Sequence, residues 1–278
     1  MENYFARLLL TSEMDDPPYF AKVHQEIADL EKKRVAHFNA HGPFNQEYIL
    51  LLTELNAAYT RAHDTEREVE VAQHIYQSCQ ALNGEEDELT LEALIALAFS
   101  YLDDLQFEEA QSIATMLLRL DWGTDDGPGY DLYIDALSLQ ADIKHAKKEW
   151  NDELTLRTHI LALLSELTGS SSNQTIMARL AMGICLEKQQ RYKEALDHYL
   201  VVRSYLDYET EYATEAEKIG LMVHIGRCYR KMGNLEDSRV IYSWAHRHAT
   251  KHFGQASTLS RKLRSLVMVF DQHKPNSL

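Results

Sequence analysis

The chain has 278 residues, 45% of them hydrophobic and 26% charged, and carries a formal net charge of −15 at neutral pH. This composition suits a folded protein, and its acidity argues against nucleic acid, whose binding needs a basic surface that displaces counterions, and equally against an anionic membrane surface. Cys79, Cys185 and Cys228 are scattered through apolar helical patterns, as buried free thiols of a reducing, cytoplasmic compartment would be. No charged-then-apolar leader opens the chain, and no apolar run reaches the ~18 residues of a membrane span.

Residues 1–44 begin with a short apolar segment, Tyr4, Phe5, Leu8, Leu9 and Leu10. Pro17 and Pro18 then open a helix expected from about Tyr19 to Ala40, with Val23, Ile27, Leu30, Val35 and Phe38 as its apolar stripe. This region suits a cap over the end of a stack of helices. Residues 45–254 read as helical hairpins, interrupted at Asp121 to Gly129 by the strongest loop signal in the chain, where Trp122 is expected to anchor the turn. Asp121, Asp125 and Asp126 in that loop lack the alternating oxygen ligands and closing glutamate of a calcium site. Residues 255–278 hold one last helix, with Leu259, Leu263, Leu266, Val267 and Phe270 facing inward, Arg261, Lys262 and Arg264 facing outward, and Pro275 ending it.

The hairpins repeat. In LMVHIGRCYRKMGNLEDSRVIYSWAHRH, Gly226, Tyr229, Gly233, Leu235, Ser238, Tyr242 and Ala245 alternate small and large residues over two antiparallel helices. Gly233 ends the first helix, and Tyr242 fills the space between small residues. Gly183, Leu186, Tyr192, Ala195, Tyr199 and Val202 form an upstream copy, and Ala98, Tyr101, Phe107, Ala110, Ala114 and Leu117 another; degenerate copies carry Ala141 with Trp150, and Asn56 with Tyr59 and Ala72. The key position of each second helix runs Glu68, Ala110, Glu153, Ala195 and Ser238, at steps of 42, 43, 42 and 43 residues. Gly84 followed by Thr90, Gly169 by Thr175, and Gly254 by Thr258 mark the turns between units.

The small and large positions resemble the tetratricopeptide repeat (TPR), and the longer period with its glycine and threonine turns resembles the kinesin-light-chain variety of it. The resemblance implies an all-α fold, a right-handed α-solenoid of about five TPR-like hairpins capped at both ends. Leu105 and Gln190 stand where that pattern usually has glycine between paired helices.

The resemblance also implies function. Phosphate loops, nucleophile elbows and strands to carry them are absent from the sequence, so no catalysis and no cofactor are expected. His37 with His41, and His248 with His252, are each four apart on predicted helices, but a metal would need further ligands converging there, so the reading is no metal site. In proteins of this repeat type the first helix of each hairpin lines the concave side. Carried over position by position, the groove would present Arg61, then Ile95, Phe99, Leu102 and Asp103, then Asp142 and His145, then Ile184, Glu187 and Lys188, and finally Arg227, Arg230 and Lys231. An apolar patch around Phe99, an acidic middle and a basic end suit a protein or peptide with an apolar anchor and an acidic end. The competing arrangement pairs Arg227 and Arg230 with Glu236 or Glu215. The expected function is thus a non-catalytic adaptor or scaffold, compatible with a homo-oligomer; the alternative is a ligand-sensing subunit that controls a separate effector enzyme.

Overall fold

The structure, a computed structural model, describes residues 17–120, 122, 129–208 and 215–271. The described chain is helical, without strands. It runs α1 (Pro17–His41), α2 (Gln46–Ala62), α3 (Thr65–Asn83), α4 (Glu88–Asp103), α5 (Phe107–Leu117), α6 (Gly129–Ala146), α7 (Trp150–Leu167), α8 (Asn173–Lys188), α9 (Tyr192–Tyr208), α10 (Glu215–Lys231), α11 (Leu235–Phe253) and α12 (Thr258–Asp271). No described helix is long and apolar enough to cross a membrane. The segment Tyr4 to Leu10, Asp121, Asp125, Asp126 and Pro275 lie outside the described residues, as does the side chain of Phe270.

Local chemistry sets the repeat. The turns inside the five hairpins place His63, Leu105, Lys148, Gln190 and Gly233 in the left-handed region, with φ between 56° and 83°, at steps of 42, 43, 42 and 43 residues. In each turn the next amide reaches back five residues, from Asp64 to Tyr59, Gln106 to Tyr101, Glu149 to Lys144, Arg191 to Leu186 and Asn234 to Tyr229, the closing bond of a Schellman cap. The backbone geometry of a glycine turn is therefore kept where the glycine is not. A left-handed residue with a Cβ costs ~1–2 kcal/mol, and the Leu105 side chain is 71% exposed and packs little. Leu105→Gly should therefore stabilise the protein by roughly 0.5–1 kcal/mol net of glycine's greater freedom in the unfolded chain, read as a higher urea midpoint; a lower midpoint would show that Leu105 packs usefully.

The turns between hairpins work differently. Gly42, Gly84, Gly169 and Gly254 all have positive φ, and the Thr175 hydroxyl donates to the Gly169 carbonyl at 2.8 Å. Thr90 and Thr175 are fully buried. After Gly254 the matching residue is Ser260, 1% exposed, rather than the expected Thr258, because burial follows the distance from the glycine along the helix. The key second-helix residues Glu68, Ala110, Glu153, Ala195 and Ser238 are 0–3% exposed, so the 42–43-residue step is a step in core packing.

By their contacts the residues form two compact units, and each is described by itself. In Pro17–Leu156, α1 packs on α2, α2 on α3, α3 on α4, and α4 on both α5 and α6. Leu30, Tyr48, Leu52, Leu55, Ala58, Tyr59 and Val71 make one core, on which Ile27 rests. Trp122 packs on a second core built around Leu94, Leu97 and Leu117, and its indole N–H donates to the Leu117 carbonyl at 3.0 Å, the anchor expected of it. The α1 stripe departs from expectation: Val23 and Leu30 are buried, but Val35 and Phe38 are 50% and 47% exposed. The helical period runs Val23, Ile27, Leu30, Arg34 and His37, so polar residues complete the inner face: Arg34 bonds Glu31, and His37 bonds Asn45, which caps α2.

In the second unit, which includes Arg157 to Asp271, α8 packs on α9, α9 on α10, α10 on α11, and α11 on α12. Tyr199 and Tyr242 are fully buried and lie against Gly183 and Gly226. Leu259 and Leu263 turn α12 inward, while Arg261, Lys262 and Arg264 stay exposed.

Candidate functional site

The expected groove residues sit on the first helices of the hairpins, and the structure treats them unequally. In the first unit α4 carries Ile95, Phe99, Leu102 and Asp103. Ile95 is 5% exposed and belongs to the core with Ala72, Leu94 and Leu132, so it is not surface. The reason is that α6 packs on α4 and covers the face three residues before Ala98. Phe99 is half-buried against the same core and against Ala98, Ala110 and Leu139, and Leu102 rests on the latter group. Much of the apolar patch thus holds helices together. Asp103 and Asp142 are half-buried.

His145 staples its own hairpin. Its Nδ1 lies 3.0 Å and 3.1 Å from the two carboxylate oxygens of Glu153, a fully buried residue, and its ring meets Trp150 edge-on at 5.3 Å. A buried carboxylate needs such partners, since leaving a charge unsatisfied in the interior costs several kcal/mol. Arg61 binds the Glu26 carboxylate of α1 at 2.6 Å, a partly exposed pair that links α1 to α2.

In the second unit Ile184 is 6% exposed, again core rather than groove, and Gly183 beside it lies against Tyr199 of α9. Arg227 also departs from expectation. Its guanidinium donates to Glu187 Oε1 at 2.7 Å, and not to Glu236 or Glu215. Glu187 is 8% exposed, and its Oε2 accepts from the Tyr199 hydroxyl at 2.9 Å and from His224 Nδ1 at 2.7 Å. Burial alone would raise the Glu187 carboxyl, but the His224 hydrogen bond, the charges of His224 and Arg227 and the Tyr199 hydroxyl outweigh it and hold the carboxyl down at about 2. Burial, the neighbouring carboxylate and their hydrogen bond push the Tyr199 phenol well up, so it donates.

This cluster joins α8 to α10 and sets their register. Residue by residue the sequence offered Glu187 and Arg227 as neighbours on two groove-lining helices, yet nothing in it paired them, and His224 fell outside the groove positions altogether. With Arg227 neutralised, the basic end consists of Lys188, at the last turn of α8, and Arg230 with Lys231, at the last turn of α10. All three are exposed and form no ion pair among the described residues. Cations at helix C-termini also offset the partial negative charge there.

No protein-family model matches the sequence, and no curated protein matches it. Solved structures do. BtubC (BKLC) from P. vanneervenii superposes with a TM-score of 0.59 at 12% identity over 94% of each chain. A putative kinesin light chain of Podosopora anserina with nearly identical TPR-like repeats superposes at 0.52, with 13% identity over 72% of this chain and 94% of that one; a point variant of it does so at 0.53, over 72% and 93%. The chain therefore has the all-α TPR-like solenoid fold, of the kind found in kinesin-light-chain-like repeat proteins.

Proposed function

We propose that the chain is a non-catalytic adaptor or scaffold that binds a protein or peptide through the ends of its first helices, with Lys188, Arg230 and Lys231 receiving an acidic feature of the partner. The observation that carries this reading is the exposure of three cations without carboxylate partners among the described residues, on a chain of net charge −15. Arg191, by contrast, pairs with Glu194. Desolvated contacts supply most of such affinity, while charges steer and select.

The test is selection from a displayed library of random peptides on the intact protein and on Lys188→Glu/Arg230→Glu/Lys231→Glu, which leaves Arg227 and its structural pairing in place. Enriched peptides should share acidic residues, and the triple variant should bind them at least tenfold more weakly by fluorescence anisotropy. Enrichment of peptides that bind both proteins equally would reject this site.

A further inference from the structure

The His248 and His252 pair of α11 gains in the fold what it lacked in the sequence. Glu215, the first residue of α10, turns its Oε2 to within 3.4 Å of His248 Nδ1 and 3.4 Å of His252 Nε2. All three ligand atoms lie within 4.8 Å of one another, and the side chains are about one-third exposed. We propose that Glu215, His248 and His252 form a binding site for a divalent transition-metal ion of the zinc class.

The spacing carries the inference. At 3.4 Å the His248 Nδ1 contact with Glu215 Oε2 is a long hydrogen bond, beyond the common range of about 2.7–3.2 Å. Two ligands each about 2.0–2.1 Å from a tetrahedral ion are about 3.3–3.4 Å apart, which is the separation of the oxygen from both nitrogens. The two imidazole nitrogens and the oxygen lie within 4.8 Å of one another, so side-chain rotation must draw the nitrogens together for them to share an ion. The histidines are one helical turn apart and their rings are nearly parallel, inclined by 14°. Trp244 stacks on His248 at 3.8 Å and holds the ring plane. Lys218 approaches the other oxygen, Oε1, at 3.9 Å, which leaves Oε2 to the histidines.

Two nitrogens and one carboxylate oxygen suit zinc, cobalt, nickel or copper and not calcium or magnesium, which prefer oxygen throughout. A pocket of about 210 Å³ lined by Glu215, His248 and Trp244 adjoins the cluster, so a fourth coordination position opens to solvent or to a small anionic or neutral donor. The other histidine pair, His37 and His41, is equally close along its helix, with ring centroids 4.9 Å apart, but His37 is engaged by Asn45 and no carboxylate among the described residues joins the pair.

The experiment uses the tag-free full chain and the metal alone. Titration with Co²⁺, followed by its visible d–d absorption, should saturate at one equivalent per chain with an affinity tighter than millimolar, and Zn²⁺ should displace it. His248→Ala, His252→Ala and Glu215→Gln should each weaken binding at least tenfold, with circular dichroism unchanged, while His37→Ala/His41→Ala leaves it intact. Glu215→Gln preserves shape and hydrogen bonding, so it decides the matter if a histidine variant loses its fold. Absence of the cobalt spectrum, or binding unaffected by Glu215→Gln and by both single histidine changes, overturns the site.

Discussion

Gly183→Ala should destabilise the protein by roughly 2–3 kcal/mol, as expected for overfilling a packed core. A Cβ at Gly183 would lie 2.5 Å and 2.8 Å from two ring carbons of Tyr199. That ring is fully buried and its hydroxyl is held by Glu187, so it cannot swing aside without also breaking the bond to the carboxylate. The matching contact at Gly226 begins at 2.9 Å from Tyr242, so Gly226→Ala should cost less. Urea unfolding of the two variants checks both size and order. Tyr199→Leu in the Gly183→Ala background should recover part of the steric loss, giving a non-additive double-mutant cycle. A change of less than about 0.5 kcal/mol on Gly183→Ala, the range of ordinary surface substitutions, would mean that the helices separate freely and that close packing does not hold this hairpin.

Glu187→Gln is expected to be the costliest polar change, at about 2–3 kcal/mol near neutral pH. Removing one partner of a buried charge cluster leaves the others uncompensated, and here Arg227 loses its counter-charge and His224 a hydrogen-bond partner. The folded carboxyl is held at about 2, below its ordinary value of 4.5, so its ionised form stabilises the fold. That contribution is present above about pH 4.5 and is lost as pH falls toward 2. A depression of this size corresponds to about 3 kcal/mol, an upper figure because the Arg227 side chain is 39% exposed and solvent weakens its share. Stability of the parent and of Glu187→Gln, measured by denaturant titration at pH 7 and again near pH 3, should therefore converge as the pH is lowered. A gap that stays constant would mean that the substituted amide fails by shape and that the carboxylate charge is immaterial.

The exposed cations and the proposed metal site are probed by different variants. Lys188, Arg230 and Lys231 lie at the ends of α8 and α10, whereas Glu215 opens α10 and the histidines lie on α11. Loss of peptide binding and loss of metal binding can therefore be separated within the same second unit.

The repeat and its local chemistry were legible from the residues alone. Small residues at Gly183 and Gly226, tyrosines at Tyr199 and Tyr242, and the step between Glu68 and Ser238 are periodic signals, and periodic signals survive because each helix must bury one face at a fixed angular interval. The left-handed turns at Leu105 and Gln190 could be read only from their place in the period, since their side chains do not favour that geometry. Which residues line a surface was fixed later, by packing, because it depends on which neighbour arrives. Packing of α6 on α4 took Ile95 into the core, and Ile184 is buried on a helix that packs against α9. The approach of α10 to α8 matched Arg227 with Glu187, forty residues away, and removed it from the free cations. The same kind of long-range meeting set Glu215 opposite His248 and His252, where a spacing of four along one helix could supply two ligands and never the third.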